Sequence, residues 1–531
     1  MYPLTSTKVS YTVTPHSLLR RKTDLSDVVK SIDLDTSFLE IYECYINDIC
    51  VKNFVVNARS GCQGALGSKL SIPLIQNDNT ELLDLINSGA VVDVKVKYST
   101  TDKCTALIWL TAEQSGDTPY VYAQLEPIHC RSMFPCFDTP AVKCTYTATI
   151  QHPLDEISLT VLPKSFGYGG IETNSVIMLT PTMLNSQFDV SGDKKFTTKE
   201  TIEFNTVLIH EIIHTISSGN YVTNYNWGEM FLNEGWTVYL ERKILARVLG
   251  GNGYDELTDE IIDSPSFYKT ILMKSTQMMD FPPFSMRKGA FLLFYLERFV
   301  GGAKNWDPYV RYYFSTYKYQ SISIWQFVNS IYEFYHSFDN SIFKKLTEEM
   351  DWNLWLLTPG LPPTPYFNNK RGAEVTDLAK LWIDKAKNET ESAVSAVKAN
   401  VSITSESIDS FSIPQLMLFI DSLCEFEDWA MASVTSKEIF DLYNAKFEPL
   451  FNYPEFEFRY IKWLASTKIG LDSTTERLIH FVSTIGRMKF VRPLYVTLAK
   501  INKDLAVETY ERLKGFYSNV CAEMVKKDLG I

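Results

Sequence analysis

The segment His210-Glu211-Ile212-Ile213-His214 carries the residue types and spacing that can do chemistry in this chain. Two histidines four apart lie on one face of a helix, about one turn from each other, so both imidazoles can reach a single Zn²⁺. The glutamate after the first histidine is placed to handle a proton of water activated there. The chain has 7 histidines, so this arrangement is a specific signal. The plain alternative is two core histidines with a surface glutamate between them. A third donor argues against it. Asn233-Glu234 lies in Phe231-Leu232-Asn233-Glu234-Gly235-Trp236-Thr237-Val238-Tyr239-Leu240-Glu241, which reads as a second buried helix with Glu234 on its inner face. His210, His214 and Glu234 leave one position open on a four-coordinate ion, as in a catalytic rather than a structural zinc. One Zn²⁺ per chain is the expected cofactor.

These residues need elements that hold them. Thr206-Val207-Leu208-Ile209 before the motif and Ile212-Ile213 within it suit a buried helix. Residues 1 to about 155 read as β, with period-two runs such as Val91 to Tyr98 and Cys144 to Ile150. From about 200 to 350 the period is helical, as in Gly289 to Arg298. Thr358-Pro359-Gly360-Leu361-Pro362-Pro363-Thr364-Pro365 marks a linker over 359–374. Residues 375–531 look helical throughout, with hairpins that stack readily into a solenoid. The expectation is a multidomain α+β protein: a β-sheet domain over 1–155, a catalytic domain over 156–358 and an α-helical, solenoid-like domain over 375–531.

At 531 residues the chain exceeds what one core supports, and a hydrophobic content of 45% with 13% aromatics suits substantial packing. The net charge of −12 argues against nucleic acid as a partner, since phosphate binding needs a basic surface. The spacings of the 9 cysteines match no zinc knuckle or redox pair, so reduced, mostly buried thiols are expected. The first residues lack a signal-peptide pattern, and no apolar run reaches the length that spans a bilayer. A monomeric cytoplasmic protein with no nucleic-acid or membrane partner is the expectation.

Several runs together resemble the gluzincin aminopeptidase family, most closely its leukotriene-A4 hydrolase/aminopeptidase branch. Trp109 to Gln114, Ile128-His129-Cys130-Arg131 and Phe134-Pro135-Cys136-Phe137-Asp138-Thr139-Pro140 look like its N-terminal β domain. Tyr168-Gly169-Gly170-Ile171-Glu172 stands where the family has its exopeptidase motif G-x-M-E-N. Gly486-Arg487-Met488-Lys489-Phe490-Val491-Arg492-Pro493-Leu494 resembles a run of its C-terminal helical domain. The resemblance implies a β saddle, a thermolysin-like catalytic domain and an α-helical C-terminal domain, and hydrolysis of N-terminal residues from peptides. It gives Glu211 the role of general base. It assigns the free α-amine to Glu172 and Glu126, the latter in the Q-x-E-P run Gln124-Leu125-Glu126-Pro127, with Gly169 and Gly170 in the exopeptidase motif. It assigns the peptide's terminal carboxylate to Arg487 and Lys489, a guanidinium suiting a planar carboxylate.

The chain departs from the family in four places. The stretch between His214 and Glu234 is one residue longer, near Thr215 to Gly219; a loop would absorb it, whereas a longer helix would turn Glu234 away by about 100°. Met286, in Ser285-Met286-Arg287-Lys288-Gly289, stands where the family carries a tyrosine that donates to the oxyanion, and a thioether has no proton to donate. Tyr268 and Tyr295 are too far along the chain to replace it. Phe281 and Met278 replace the tyrosine and aspartate tied to epoxide chemistry, so lipid epoxide hydrolysis is not expected; Thr173 replaces the motif's asparagine. Finally, Ile150 to Leu154 runs almost directly into Leu159 to Pro163, where the family has the end of the β domain and the first catalytic-domain strands. The resulting expectation is an aminopeptidase weakened at Met286, with a peptide- or protein-binding pseudoenzyme as the alternative.

Overall fold

The structure, a computed structural model, describes residues 7–13, 30–74, 92–115, 120–143, 160–172, 177–180, 202–248, 283–356, 370–390, 404–411, 413–451 and 453–531. The chain divides into two compact units, one comprising Met1–Ala112, Asp117–Thr149 and Tyr225–Trp227, the other Glu113–Gly116, Ile150–Asn224 and Gly228–Ile531.

The first unit is built on alternation. Along β7 (Val92–Thr100), Val92, Val94, Val96 and Tyr98 are buried while Asp93 and Lys97 are exposed. This is the period-two signature of a half-buried strand. With β1 (Thr7–Val13), β3 (Leu39–Ile46) and β4 (Ile49–Val51) it forms an antiparallel sheet in the order β1-β7-β3-β4. A second sheet has the order β2-β6-β5, from Ser31–Thr36, Ser68–Pro73 and Val55–Val56. Ile32, Leu34, Leu70 and Ile72 of this sheet pack in one core with Cys44, Ile46, Val94 and Val96 of the first. The expected strand at Cys144 to Ile150 lies outside the described residues.

The runs around Arg131 and Asp138 have a structural role here. Arg131 is buried; its Nε and backbone N both donate to Asp138 Oδ2, at 2.7 and 3.1 Å. Its Nη1 donates to the Leu66 carbonyl at 2.6 Å. A buried guanidinium with these acceptors staples the segment 131–138 to the sheet.

The second unit is mainly helical. In chain order after β8 (Leu107–Leu110) and β9 (Tyr120–Ala123), an antiparallel pair of the first unit, the second unit has a small sheet in the order β10-β12-β11 (Thr160–Val161, Ile177–Leu179 and Gly170–Glu172). Helix α1 (Ile202–Ile216) packs against β11 and against α2 (Phe231–Val248). Helix α3 (Pro283–Phe299) lies unusually close to α2, because glycine faces glycine: a Cβ on Gly235 would stand 2.7 Å from the Gly289 Cα. The same stretch of α2 anchors an aromatic core. Trp236 stacks on Tyr313 with centroids 4.9 Å apart and on Trp306 at 6.2 Å, both from α4 (Ala303–Thr316). Phe327, Ile331 and Tyr335 of α5 (Ile324–Phe338) close the cluster. Each such side chain contributes about 1.5–3 kcal/mol on burial.

From Lys370 onward the described chain consists almost wholly of helices. α6 (Lys370–Thr390), α7 (Ile413–Leu423), α8 (Ser433–Phe447) and α9 (Pro454–Thr467) share one core containing Trp382, Phe419, Trp429 and Tyr443. α10 (Leu471–Thr484), α11 (Met488–Ile501), α12 (Lys503–Leu513) and α13 (Asn519–Leu529) build the next core on the other face of α9, around Phe481, Phe490 and Leu494. α9 and α11 each touch their next and next-but-one neighbours, which is the layered packing of a helical stack. Among the described residues no helix is long and apolar enough to cross a membrane.

The Gly235–Gly289 contact sets the spacing of α2 and α3, so Gly235→Ala is expected to destabilise by about 1–3 kcal/mol through overpacking. Gly515→Ala, where an added Cβ meets nothing within 4 Å, serves as the neutral control. Thermal and denaturant unfolding of the two variants compares them directly.

Candidate metal centre and active site

The centre sits where α1 and α2 pack together. α1 presents His210 and His214 one turn apart. α2 answers with Glu234, Thr237 and Glu241, spaced three and four residues apart on one face. His210 Nε2 lies 3.1 Å from His214 Nε2. Glu234 Oε2 lies 3.5 Å from the first and 3.6 Å from the second.

The outward nitrogens of both rings are already committed. His210 Nδ1 is 3.0 Å from Glu241 Oε2, and His214 Nδ1 is 2.9 Å from the Ser218 carbonyl oxygen. Carboxylate and carbonyl can only accept, so each Nδ1 carries the proton and each Nε2 presents a lone pair. Three lone pairs, two from imidazoles and one from a carboxylate, thus converge on one point. Glu234 Oε2 is buried there without a hydrogen-bond partner. Such an arrangement can hold a cation, either a proton or a metal ion. Two donors on a tetrahedral Zn²⁺ with bonds of about 2.0–2.1 Å stand roughly 3.3 Å apart. The observed spacings fit such an ion.

The electrostatics agree. Burial alone would raise the pKa of Glu234, but His214 and His210 hold it far below the usual carboxylate range. Burial would lower that of His210, but Glu234 and Glu241 hold it well above the imidazole range. In the absence of a metal the carboxylates therefore recruit a proton into the centre, and a metal ion must displace it.

Between His214 and Glu234 the chain leaves α1 at Ile216 and passes through a loop. Ser217 N donates to the Ile213 carbonyl at 2.8 Å, and Gly219, at φ +113°, reverses the chain so that its N–H meets the Val222 carbonyl at 2.8 Å. This turn brings the Ser218 carbonyl onto His214. Helix α2 begins afresh at Phe231, and Glu234 faces the histidines.

Glu211 is buried beside the candidate metal ligands, on the side of β11. A Cβ on Gly170 would lie 2.4 Å from Glu211 Oε1, so only glycine admits this close approach. The neighbouring Gly169 meets a different group: its Cβ would lie 2.8 Å from Arg487 Nη2. Arg487 is held there by backbone pairing, with Gly486 N donating to the Lys164 carbonyl at 2.7 Å and Met488 N to the Gly167 carbonyl at 3.0 Å. Lys489, the second residue of α11, shares a carboxylate with Arg487: that of Glu455 on α9. The structure thus brings together His210, His214, Glu234, Glu211, Gly170, Gly169, Arg487 and Lys489.

The other expectations fall differently. Glu172 ends β11, and its side chain is outside the described residues. Glu126 is exposed and belongs to the first unit. Met286 lies in α3, its side chain likewise outside the described residues, as are Tyr268, Met278 and Phe281 entirely. Tyr295 packs into the aromatic core, 4.7 Å from Trp355 between ring centroids. A second group among the described residues, Cys130, Cys136 and Asp138, brings metal-ligating atoms within 4.8 Å of one another. Its Asp138 is already engaged by Arg131.

Sequence reasoning missed Glu241, Ser218, Thr237 and Glu455. Glu241 had a signal, seven residues beyond Glu234 on the same face of α2. Ser218 had none, since it acts through a carbonyl that every residue has.

Residues 143–352 match the Peptidase family M1 domain, residues 20–165 the Peptidase M1 N-terminal domain, and residues 411–529 the Leukotriene A4 hydrolase, C-terminal domain. Leucine aminopeptidase 2 of Candida glabrata is 30% identical over 615 aligned positions, covering 96% of this chain and 88% of that protein. Leucine aminopeptidase 2 of Saccharomyces cerevisiae is 30% identical, covering 94% and 84%. Both alignments are longer than this chain, so the relatives contain internal segments with no counterpart here. Among solved structures, native leukotriene A4 hydrolase from Saccharomyces cerevisiae superposes with a TM-score of 0.75 at 28% identity, covering 99% of this chain and 93% of that one. The yeast enzyme in complex with bestatin gives a TM-score of 0.77 at 28% identity, with the same coverage.

Because Glu241 fixes the tautomer of His210, Glu241→Ala is expected to weaken metal binding by about 10–100-fold. Competition against a chromophoric chelator measures this.

Proposed function

The chain belongs to peptidase family M1, and from that premise we propose that it is a zinc aminopeptidase releasing N-terminal residues from peptides. The reading divides the chain into a β domain at 1–155, a catalytic domain at 156–358, a linker at 359–374 and a helical domain at 375–531. The observation that carries it is the convergence of the His210, His214 and Glu234 lone pairs beside the buried carboxylate of Glu211.

His210, His214 and Glu234 would hold the ion, which supplies Lewis acidity to polarise a carbonyl and to acidify water. Glu211 takes the proton of the attacking water and hands it to the departing amine. Gly170 leaves Glu211 the room to do so. Glu172 binds the substrate's α-ammonium, a cation that needs a carboxylate when it is desolvated. Arg487 and Lys489 take the terminal carboxylate.

Met286 is expected to weaken that activity, and it supports a second reading, a pseudoenzyme that binds peptides or a protein partner without cleaving them. A methionine at this point of α3 supplies no donor for a developing oxyanion.

Glu211→Gln is expected to lower kcat on aminoacyl-amide substrates by about 10²–10⁴ while the zinc content stays near one per chain. Equal turnover by the variant, or untouched peptides at full zinc occupancy, contradicts the peptidase reading. Met286→Tyr is expected to raise kcat by about 10²–10³. Steady-state kinetics on metal-filled protein distinguishes the readings, since no gain at all favours the binder.

A further inference from the structure

The basic pair at the start of α11 is already in contact with an anion of the protein's own. Glu455 opens α9, and its side chain is 5% exposed. Its Oε1 is shared by Arg487 Nη1, at 3.3 Å, and by Lys489 Nζ, while its Oε2 accepts from Arg459 Nη1 at 2.9 Å. Arg459 is balanced separately, its Nε donating to Asp421 Oδ2 at 2.9 Å. Three cations, Arg459, Arg487 and Lys489, therefore meet the carboxylates of Glu455 and Asp421 in one linked cluster. Burial opposes ionisation of Glu455, but Lys489, Arg459 and Arg487 hold it well below the usual carboxylate range.

The guanidinium of Arg487 is split between two faces. Nη1 is turned to Glu455, and Nη2 to Gly169, next to the glycine that touches Glu211. A planar fork binds a carboxylate best with two parallel N–H bonds. An incoming carboxylate must therefore share Arg487 and Lys489 with Glu455 or draw them from it.

We infer that Glu455 is a built-in competitor for the substrate's terminal carboxylate, positioning Arg487 and Lys489 and limiting how tightly they take that anion. The inference rests on the assignment of those two residues to the carboxylate made above. It makes Glu455 a specificity-determining residue that sets the advantage of a free acid over an amide at the peptide's end.

The test is calorimetric, on full-length zinc-loaded protein carrying Glu211→Gln, with trialanine and trialanine amide as ligands. The readout is the ratio of the amide's Kd to that of the acid. Adding Glu455→Gln is expected to raise this ratio by roughly threefold to tenfold, the size of one part-exposed ion pair. Loss of a merely structural contact would weaken both ligands and leave the ratio unchanged. Glu455→Asp keeps the buried charge balanced while drawing the carboxylate back, so it folds with its cluster intact and is expected to raise the ratio by a smaller factor. An unchanged or lowered ratio in either folded variant overturns the inference, as does a parent that binds acid and amide equally. Turnover of trialanine by the unsubstituted chain is scored separately. Its absence counts against the peptidase reading while the Kd ratios still judge Glu455.

Discussion

Two imidazole nitrogens and a carboxylate oxygen point their lone pairs at one buried spot, and the chemistry of the second unit depends on that repulsion being relieved by a cation. The arrangement is costly without one, since Glu234 Oε2 is buried between the two ring nitrogens, and in the absence of a metal the carboxylates must draw a proton into the centre. It persists because packing over-determines it. α1 and α2 bring the donors together, the glycine-to-glycine contact sets α2 against α3, and the Trp236 cluster prevents α2 from turning about its axis. Glu241 and the Ser218 carbonyl then decide which nitrogen of each ring faces inward.

From that point the site extends through short steps along the backbone. Gly170 admits Glu211, Gly169 admits Arg487, and Arg487 is tied to Glu455 together with Lys489. The two glycines Gly169 and Gly170, one just before β11 and one opening it, thus separate a candidate proton carrier from a cationic group that is partly neutralised in advance. The anion chemistry of the helical stack and the proton chemistry of α1 meet across two residues. This places Glu455, buried on a different helix, in a position to tune a site it does not line.

Much of this was legible from residue types and spacing. Histidines four apart with a glutamate between them specify a helix face, and the apolar residues around Glu234 specify a second one, because a 3.6-residue period leaves few alternatives. The alternation of Val92, Val94 and Val96 gave the β unit in the same way. What sequence could not supply was contact between distant segments. The turn at Gly219 that keeps Glu234 in place depends on backbone hydrogen bonds, not on side-chain type. Arg131 and Asp138 read as a family signature, and only the fold reveals their staple on the Leu66 carbonyl. Glu455 lies 32 residues before Arg487 on a separate helix, with no periodicity linking the two.

X-ray absorption at the zinc edge of the metal-loaded protein tests the central claim most directly. The account predicts a first shell of nitrogen and oxygen only, at about 2.0–2.1 Å, with a multiple-scattering signature of two imidazoles that falls to that of one in His210→Ala. Sulfur scattering at about 2.3 Å would place the ion at Cys130 and Cys136 instead, and would contradict the account.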